Sequence, residues 1–288
     1  MNNNKKVSVI MPCYNDGKYI YESINSVFDS TYDNIELIII NDGSDDEYTL
    51  KILKELENKK NNLKILHSHN LKPAGARNLG IENATGEYIM PVDADDKIDK
   101  TYIEKAVKIL NNNENIGVVY CKADLFGKKT GIWELPEFSK KAMLVDNVVF
   151  ITALFRKKDW ERIGGFRIDL KHGMEDYDFW LSMLEVNRDF YQINEILFHY
   201  RIKEQSRTTM FNDNIDNVKN TYKEIYYNHR SLYVNNQDEA FIALRETIIE
   251  CSSKINMYDN FYRETIGIKR LLDKFPLIKK CIKQIIMR

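Results

Sequence analysis

Three carboxylates fall within four residues at Asp93-Ala94-Asp95-Asp96, directly after the mostly apolar run Glu87-Tyr88-Ile89-Met90, which reads as a strand. Carboxylates this close repel one another and resist ionisation unless a cation shares the site. A hard divalent ion such as Mg2+ or Mn2+ takes one or two carboxylates and fills its remaining positions with water and phosphate oxygens. A strand ending in Asp-x-Asp is therefore a place where a metal–diphosphate could sit. A solvated acidic turn ahead of the helix that starts near Lys100 accounts for the same residues. A second acidic group, Glu175-Asp176-Tyr177-Asp178, opens a helical pattern after His172-Gly173-Met174. The helix dipole alone favours acids there. Yet two carboxylate sets on separate elements can also divide between a metal site and a general base, as substitution at a sugar anomeric carbon demands.

Further polar groups follow other apolar runs. Pro12-Cys13-Tyr14-Asn15 offers an aromatic face beside polar backbone, where a base could rest. Asn41-Asp42-Gly43-Ser44 carries an acid able to accept the imide N–H of uracil, and it is equally ordinary turn and cap chemistry. Gly75-Ala76-Arg77-Asn78-Leu79-Gly80 puts a guanidinium in the first turn of a helix, beside free N–H groups, where an anion or nucleotide is well received. An isolated arginine there would decorate a surface.

These groups need a scaffold, and the first half of the chain supplies one. Apolar runs at Val7–Met11, Leu37–Ile40, Leu63–Leu66 and Glu87–Met90 read as strands, the first broken by Pro12. Between them, Gly17–Phe28, a segment with Leu50, Leu53 and Leu56 on one face, and Ala74–Ala84 read as helices. Such alternation means βαβ units in a mainly parallel sheet, with ligands beyond the carboxyl ends of the strands. The loops at 12–17, 41–45, 67–75 and 91–96 then share one edge. Farther on, Gly117–Cys121 and Asn147–Phe155 look like strands, Lys157–Ile163 like a short helix, and Glu175–Leu184 like a longer one. From Asn214 onward the pattern is almost wholly helical.

Bulk properties narrow the options. A 288-residue chain with a formal net charge of −1 is not built as a general nucleic-acid binder. Cys13, Cys121, Cys251 and Cys281 form no CxxC pair and read as reduced thiols of a cytoplasmic protein. No apolar run approaches the roughly 18 residues a membrane span needs. Residues 261–288 carry eight Lys or Arg against Glu264 and Asp273, interleaved with Leu271, Leu272, Phe275, Leu277, Ile278, Ile282, Ile285 and Ile286. A basic amphipathic helix suits an anionic membrane surface, as on the inner face of the membrane. Packing on the catalytic domain or on another subunit of a homo-oligomer suits it as well.

Taken in order, Val9-Ile10-Met11-Pro12-Cys13-Tyr14-Asn15, Ile39-Ile40-Asn41-Asp42-Gly43-Ser44, Ala76-Arg77-Asn78-Leu79-Gly80, Gly86-Glu87-Tyr88-Ile89, Asp93-Ala94-Asp95-Asp96 and Gly164-Gly165-Phe166 with Glu175-Asp176-Tyr177-Asp178-Phe179-Trp180 closely resemble glycosyltransferase family 2. The resemblance covers about residues 5–210. It implies a GT-A fold, a Rossmann-like and mainly parallel sheet flanked by helices, here with a helical C-terminal extension. It implies a catalytic domain over 1–210, with a nucleotide-sugar half at about 1–98 and an acceptor half at 99–210, followed by a helical region at 211–288. It further implies an inverting transfer of a hexose or N-acetylhexosamine from a UDP-sugar to a saccharide acceptor on lipid or protein, with Mn2+ or Mg2+ as cofactor.

Carried over by position, Pro12, Tyr14 and Asn15 would border the nucleoside, and Asp42 would hydrogen-bond the uracil. Arg77 would lie beside base and phosphates, Asp93 and Ala94 at the ribose and donor, and Asp95 on the metal. Asp176 would be the base and Glu175 its neighbour orienting the acceptor, with Trp180 below the acceptor or in the core. Many relatives carry a histidine two residues after the arginine of His199-Tyr200-Arg201. This chain has Lys203, which could offset diphosphate charge but would not ligate a metal. The Gln-x-x-Arg-Trp element of processive synthases is missing, so single addition is expected, in bacterial surface-glycan or glycoprotein-glycan assembly. A sugar-1-phosphate nucleotidyltransferase, which would need a glycine-rich loop near the N-terminus, and a non-catalytic nucleotide- or glycan-binding scaffold are the alternatives.

Overall fold

A computed structural model describes residues 4–57, 61–204, 211 and 213–273 of the chain. They fall into two compact units, Met1–Asn235 and Asn236–Arg288. The first unit opens as β1 (Val7–Cys13), α1 (Ile20–Phe28), β2 (Ile35–Asp42), α2 (Glu47–Leu56), β3 (Leu63–Ser68), α3 (Lys72–Glu82) and β4 (Tyr88–Pro91). β3, β2, β1 and β4 lie side by side and parallel. Leu37, Ile38, Ile39 and Ile40 are all buried, as a central strand covered on both faces requires. Gly80 lets α3 lie against that sheet, because a Cβ there would stand 2.6 Å from Ile10 Cγ2 and 2.7 Å from Ile40 Cδ1.

The sheet continues with β5 (Lys97–Ile98), β6 (Ile116–Gly127), β7 (Gly131–Trp133), β8 (Leu154–Arg156) and β9 (Asp189–Ile202). The path is β3-β2-β1-β4-β8-β6-β9-β5, with β7 on β6. Helices α4 (Tyr102–Asn112), α5 (Lys140–Met143), α6 (Lys157–Ile163) and α7 (Glu175–Glu185) intervene. α8 (Ile215–Asn228) and α9 (Arg230–Asn235) close the unit. The pairing that matters most is β5 with β9, antiparallel, Lys97 opposite His199. It returns the chain at 199–203 to the acidic turn after β4. The second unit holds α10 (Gln237–Asp273), a 37-residue helix. Most of the basic tail expected at 261–288 lies outside the described residues.

Three local expectations change. β1 runs through Pro12 to Cys13. The Ile10 carbonyl accepts from Val92 N, so by alternation Pro12 also faces β4, beyond the last pair with Pro91. The missing N–H therefore costs no ladder bond. In α2 the buried side chains are Thr49, Ile52, Leu53 and Leu56, whereas Leu50 is 41% exposed. Steps of three drift around a helix of 3.6 residues per turn, while steps of three and four hold one face. Finally, Asn147–Ala153 is buried in part but irregular, and only Leu154–Arg156 is strand. The Trp180 indole donates to Val149 O at 2.9 Å, and the Phe150 ring lies 4.6 Å from that of Phe198. An apolar run can line a core without joining a ladder.

Candidate active site

The first acidic turn hangs from β4 and is fixed from two sides. Ser23 of α1 donates to the carbonyls of Ala94 and Asp96, at 2.8 and 2.6 Å. Arg201, at the end of β9, donates its backbone N–H to Asp96 Oδ1 at 2.8 Å and its Nε to Asp95 O at 2.7 Å. Asp96 is buried, and burial, then the charges of Asp95 and Asp93, raise its pKa well above the carboxylate range. It anchors β9 rather than facing a ligand. Ala94 is also buried, leaving its backbone for any donor contact. Asp93 and Asp95 keep partial exposure.

The second acidic group starts α7 behind a left-handed turn, with Gly173 at φ 130° and Met174 at φ 67°. Buried Arg77 joins the two groups. Its Nη2 donates to Asp93 Oδ1 and its Nη1 to Glu175 Oε1, each at 2.9 Å. Burial disfavours the guanidinium charge, but Asp93 and Glu175 outweigh it and hold Arg77 protonated. The neighbouring Asn78 accepts from Trp160 Nε1 and Phe166 N, and donates to Phe166 O at 2.7 Å. Consecutive residues of α3 thus hold Gly164-Gly165-Phe166 and the first residue of α7. A Cβ on Gly165 would lie 2.9 Å from Asn78 Oδ1.

Asp176 has a different setting. Its Oδ2 accepts from Asn147 Nδ2 at 3.0 Å and its Oδ1 from Tyr177 N at 2.9 Å. Burial, then the adjacent Glu175 charge, push its carboxyl up to about 6. A carboxylate with that value, held by neutral donors, is suited to take a proton near neutral pH. Asp178 turns the other way, toward Arg167 and His229. Trp180 is wholly buried, in the aromatic core.

At the opposite side of the edge, Tyr14 is 46% exposed and free to offer its face, and Pro12 lies beside it, partly exposed. Asn15 ties two loops together: Oδ1 accepts from Asp45 N and Asp46 N, and Nδ2 donates to Asp45 Oδ1. Asp42 Oδ1 accepts from Leu71 N at 2.7 Å and Ser68 Oγ at 3.0 Å, so it orders the loop that leads into α3. Lys203 Nζ lies 2.7 Å from Asp95 Oδ2 and 2.8 Å from Asp16 Oδ1. Two residues here escaped the sequence reading. Asp16 sat inside the loop singled out after β1, whereas Asn147 sat in an apolar run with no motif around it.

A divalent cation would meet an incomplete donor set. Among the described residues no group of three or more His, Cys, Asp or Glu side chains is disposed to hold a metal ion. Asp93 is engaged by Arg77 and Asp96 by the Arg201 backbone, leaving Asp95 as the carboxylate for a cation. One carboxylate suffices for a hard ion that brings phosphate oxygens with it. The residues fit a diphosphate-borne ion, on condition that Lys203 yields Asp95.

Comparison with known proteins assigns the fold. Residues 8–190 match the family model Glycosyl transferase family 2. The chain belongs to this family. An uncharacterized glycosyltransferase of Haemophilus influenzae is 32% identical over 254 residues, covering 82% of this chain and 76% of that protein. The crystal structure of S. aureus TarS 1-349 in complex with UDP-GlcNAc superposes with a TM-score of 0.60 at 23% identity, over 71% of this chain and 60% of that one. The mannosyltransferase PcManGT from Pyrobaculum calidifontis, in complex with GDP-Man and Mn2+, gives 0.60 at 16% identity, over 90% and 81%. The family 2 chain is therefore a glycosyltransferase of GT-A fold with a helical C-terminal region. No helix among the described residues is long and apolar enough to cross a membrane.

Proposed function

We propose that this family 2 enzyme transfers a hexose or N-acetylhexosamine from a UDP-sugar to a saccharide hydroxyl, one residue per encounter, with inversion at the anomeric carbon. The carrying observation is the Arg77 bridge, which brings the strand-end Asp93 and the helix-start Glu175 to one guanidinium and sets Asp176 beside them. The donor end lies at Tyr14, Asp42 and Asp93, and the acceptor end at Glu175 and Asp176. The UDP-GlcNAc and GDP-Man complexes of the structural neighbours support a nucleoside-diphosphate donor. Asp42 favours uracil, because a carboxylate accepts the imide N–H.

In the transfer, Asp176 takes the proton of the acceptor hydroxyl as its oxygen bonds the anomeric carbon. The bond from that carbon to the diphosphate oxygen breaks on the opposite face, and the nucleoside diphosphate leaves with the electron pair. Asn147 holds Asp176 in place, and Glu175, fixed by Arg77, orients the acceptor. A divalent cation on Asp95 would offset charge on the leaving diphosphate.

The test is a panel of UDP- and GDP-sugars with simple saccharide acceptors, following nucleoside diphosphate release. Turnover of a UDP-sugar is expected, with kcat/KM rising through pH about 6 as Asp176 ionises and level above it. Failure of the protein to bind either nucleoside diphosphate would overturn the reading.

A further inference from the structure

The cation seat at Asp95 is already taken. Lys203 Nζ stands 2.7 Å from Asp95 Oδ2 and 2.8 Å from Asp16 Oδ1, so two carboxylates converge on one ammonium. Their side chains are 15% and 22% exposed, and that of Lys203 is 26% exposed. The lysine emerges just after β9, whose last residues are pinned to the acidic turn by Arg201. The Arg201 guanidinium in turn lies 4.4 Å from the centre of the Tyr19 ring, and Lys203 Nζ lies 5.8 Å from it. The ammonium is placed by the fold.

Electrostatics then separates two situations. Asp16, Asp95 and Lys203 together carry one net negative charge. A bare divalent ion competing for Asp95 would have to dislodge the ammonium and leave it beside a second cation, which repels it. A nucleoside diphosphate changes that balance, because its oxygens supply an anionic partner for the displaced ammonium and further ligands for the ion.

We propose that Lys203 couples cation and nucleotide binding in this enzyme: its ammonium occupies Asp95 against a bare divalent ion and releases that carboxylate only when the ion arrives with a diphosphate. Lys203 is thereby a built-in competitor of the ion, and Asp16 is the residue that holds the competitor in place. The inference rests on the nucleotide-sugar reading above.

Binding, rather than turnover, tests it. Mn2+ would be titrated alone and with saturating UDP, by electron paramagnetic resonance of the free ion, on the wild type, Lys203→Met and Lys203→Arg. Circular dichroism melting would confirm that each is folded. UDP is expected to tighten Mn2+ binding to the wild type by at least about tenfold, and Mn2+ must tighten UDP binding by the same factor. Lys203→Met should bind Mn2+ without nucleotide about tenfold or more tighter than wild type, the scale of one charge-assisted contact, with the UDP enhancement correspondingly reduced. Lys203→Arg, which keeps the charge, should exclude the bare ion as the wild type does. Wild type and Lys203→Met binding bare Mn2+ equally would overturn the proposal. So would UDP binding that ignores Mn2+ in both proteins, although the nucleotide reading would then stand. Absence of UDP binding under every condition would remove both.

Discussion

The two acidic groups use the same residue type in opposite ways. In each, one aspartate is committed to the scaffold and another is left for chemistry. Asp96 and Asp178 are the committed pair, but Asp96 is satisfied by a backbone N–H, whereas Asp178 meets Arg167 and His229. Their pKa values diverge accordingly. Burial raises Asp96, while at Asp178 burial is outweighed by His229 and Asn228 and the value falls. Of the chemical pair, Asp95 faces a cation and Asp176 faces an amide. Asp95 is paired directly with an ammonium, whereas Asp176 accepts from neutral donors, and the nearby Arg77 charge lowers its pKa less than burial and Glu175 raise it. Identity in sequence says little here; the partner decides the role.

The contrast can be broken most sharply at Asp176. Asp176→Asn keeps the shape and one of the two accepted hydrogen bonds but cannot take a proton, so kcat should fall about 10²–10⁴-fold with donor affinity unchanged. The same variant should melt higher at pH 7. Its raised folded pKa means that ionisation of Asp176 costs native stability as pH rises from the unfolded value toward about 6. A variant with near-normal transfer, or a lower melting temperature, would contradict this account.

Arg77 is the next test, because it serves both groups. Arg77→Met leaves two partly or fully buried carboxylates without their cation and should cost about 3–5 kcal/mol in urea unfolding. A loss under about 1 kcal/mol would mean that the bridge contributes little.

Asp178 and His229 sharpen the comparison through pH. Asp178 contributes stability above its unfolded pKa, and that contribution is lost as pH falls through its lowered folded value. For His229, burial is outweighed by Asp178 and Glu185, so the folded value is raised. Its contribution is complete below about 6.5 and is lost as pH rises through the folded value. Asp178→Asn should cost about 1–3 kcal/mol at pH 6. His229→Gln should flatten the decline in stability between pH 6 and pH 9, read from urea midpoints.

The smallest effect is expected at Asp96. An amide oxygen can still accept from Arg201 N, and no charge is then buried, so Asp96→Asn should lie within about 1 kcal/mol of wild type. Equal losses for Asp96→Asn and Asp178→Asn would erase the distinction between them.

How much of this was legible depended on whether a feature had a period or a motif. β1, β2 and β4 announce themselves as apolar runs, and Asp93, Asp95, Glu175 and Asp176 stand at element ends where ligands gather. Arg77 was visible as a site residue, but its two carboxylate partners lie 16 and 98 residues away and only the fold pairs them. Asn147 gave no signal, since one amide in an apolar run has no period. Asn15 and Asp42, expected at the nucleoside, also do structural work on neighbouring loops that spacing cannot reveal. Apolar content misled at Asn147–Ala153, where burial was read as strand although ladder bonds are what make one.

Arg77 and Asn78, neighbours on α3, grip the chain at Glu175 and at Phe166. The intervening loop therefore leaves from and returns to almost one point on a rigid helix. Ile168, two residues past Phe166, is 71% exposed. A loop moored in this way can be lengthened or rewritten at small entropic cost, since each doubling of length costs only about 0.6 kcal/mol. Its moorings, and Asp176 beside them, need not move. Loop grafting at its exposed positions, Ile168 first, would leave both moorings in place, provided that the buried Leu170 and Arg167, the partner of Asp178, are kept.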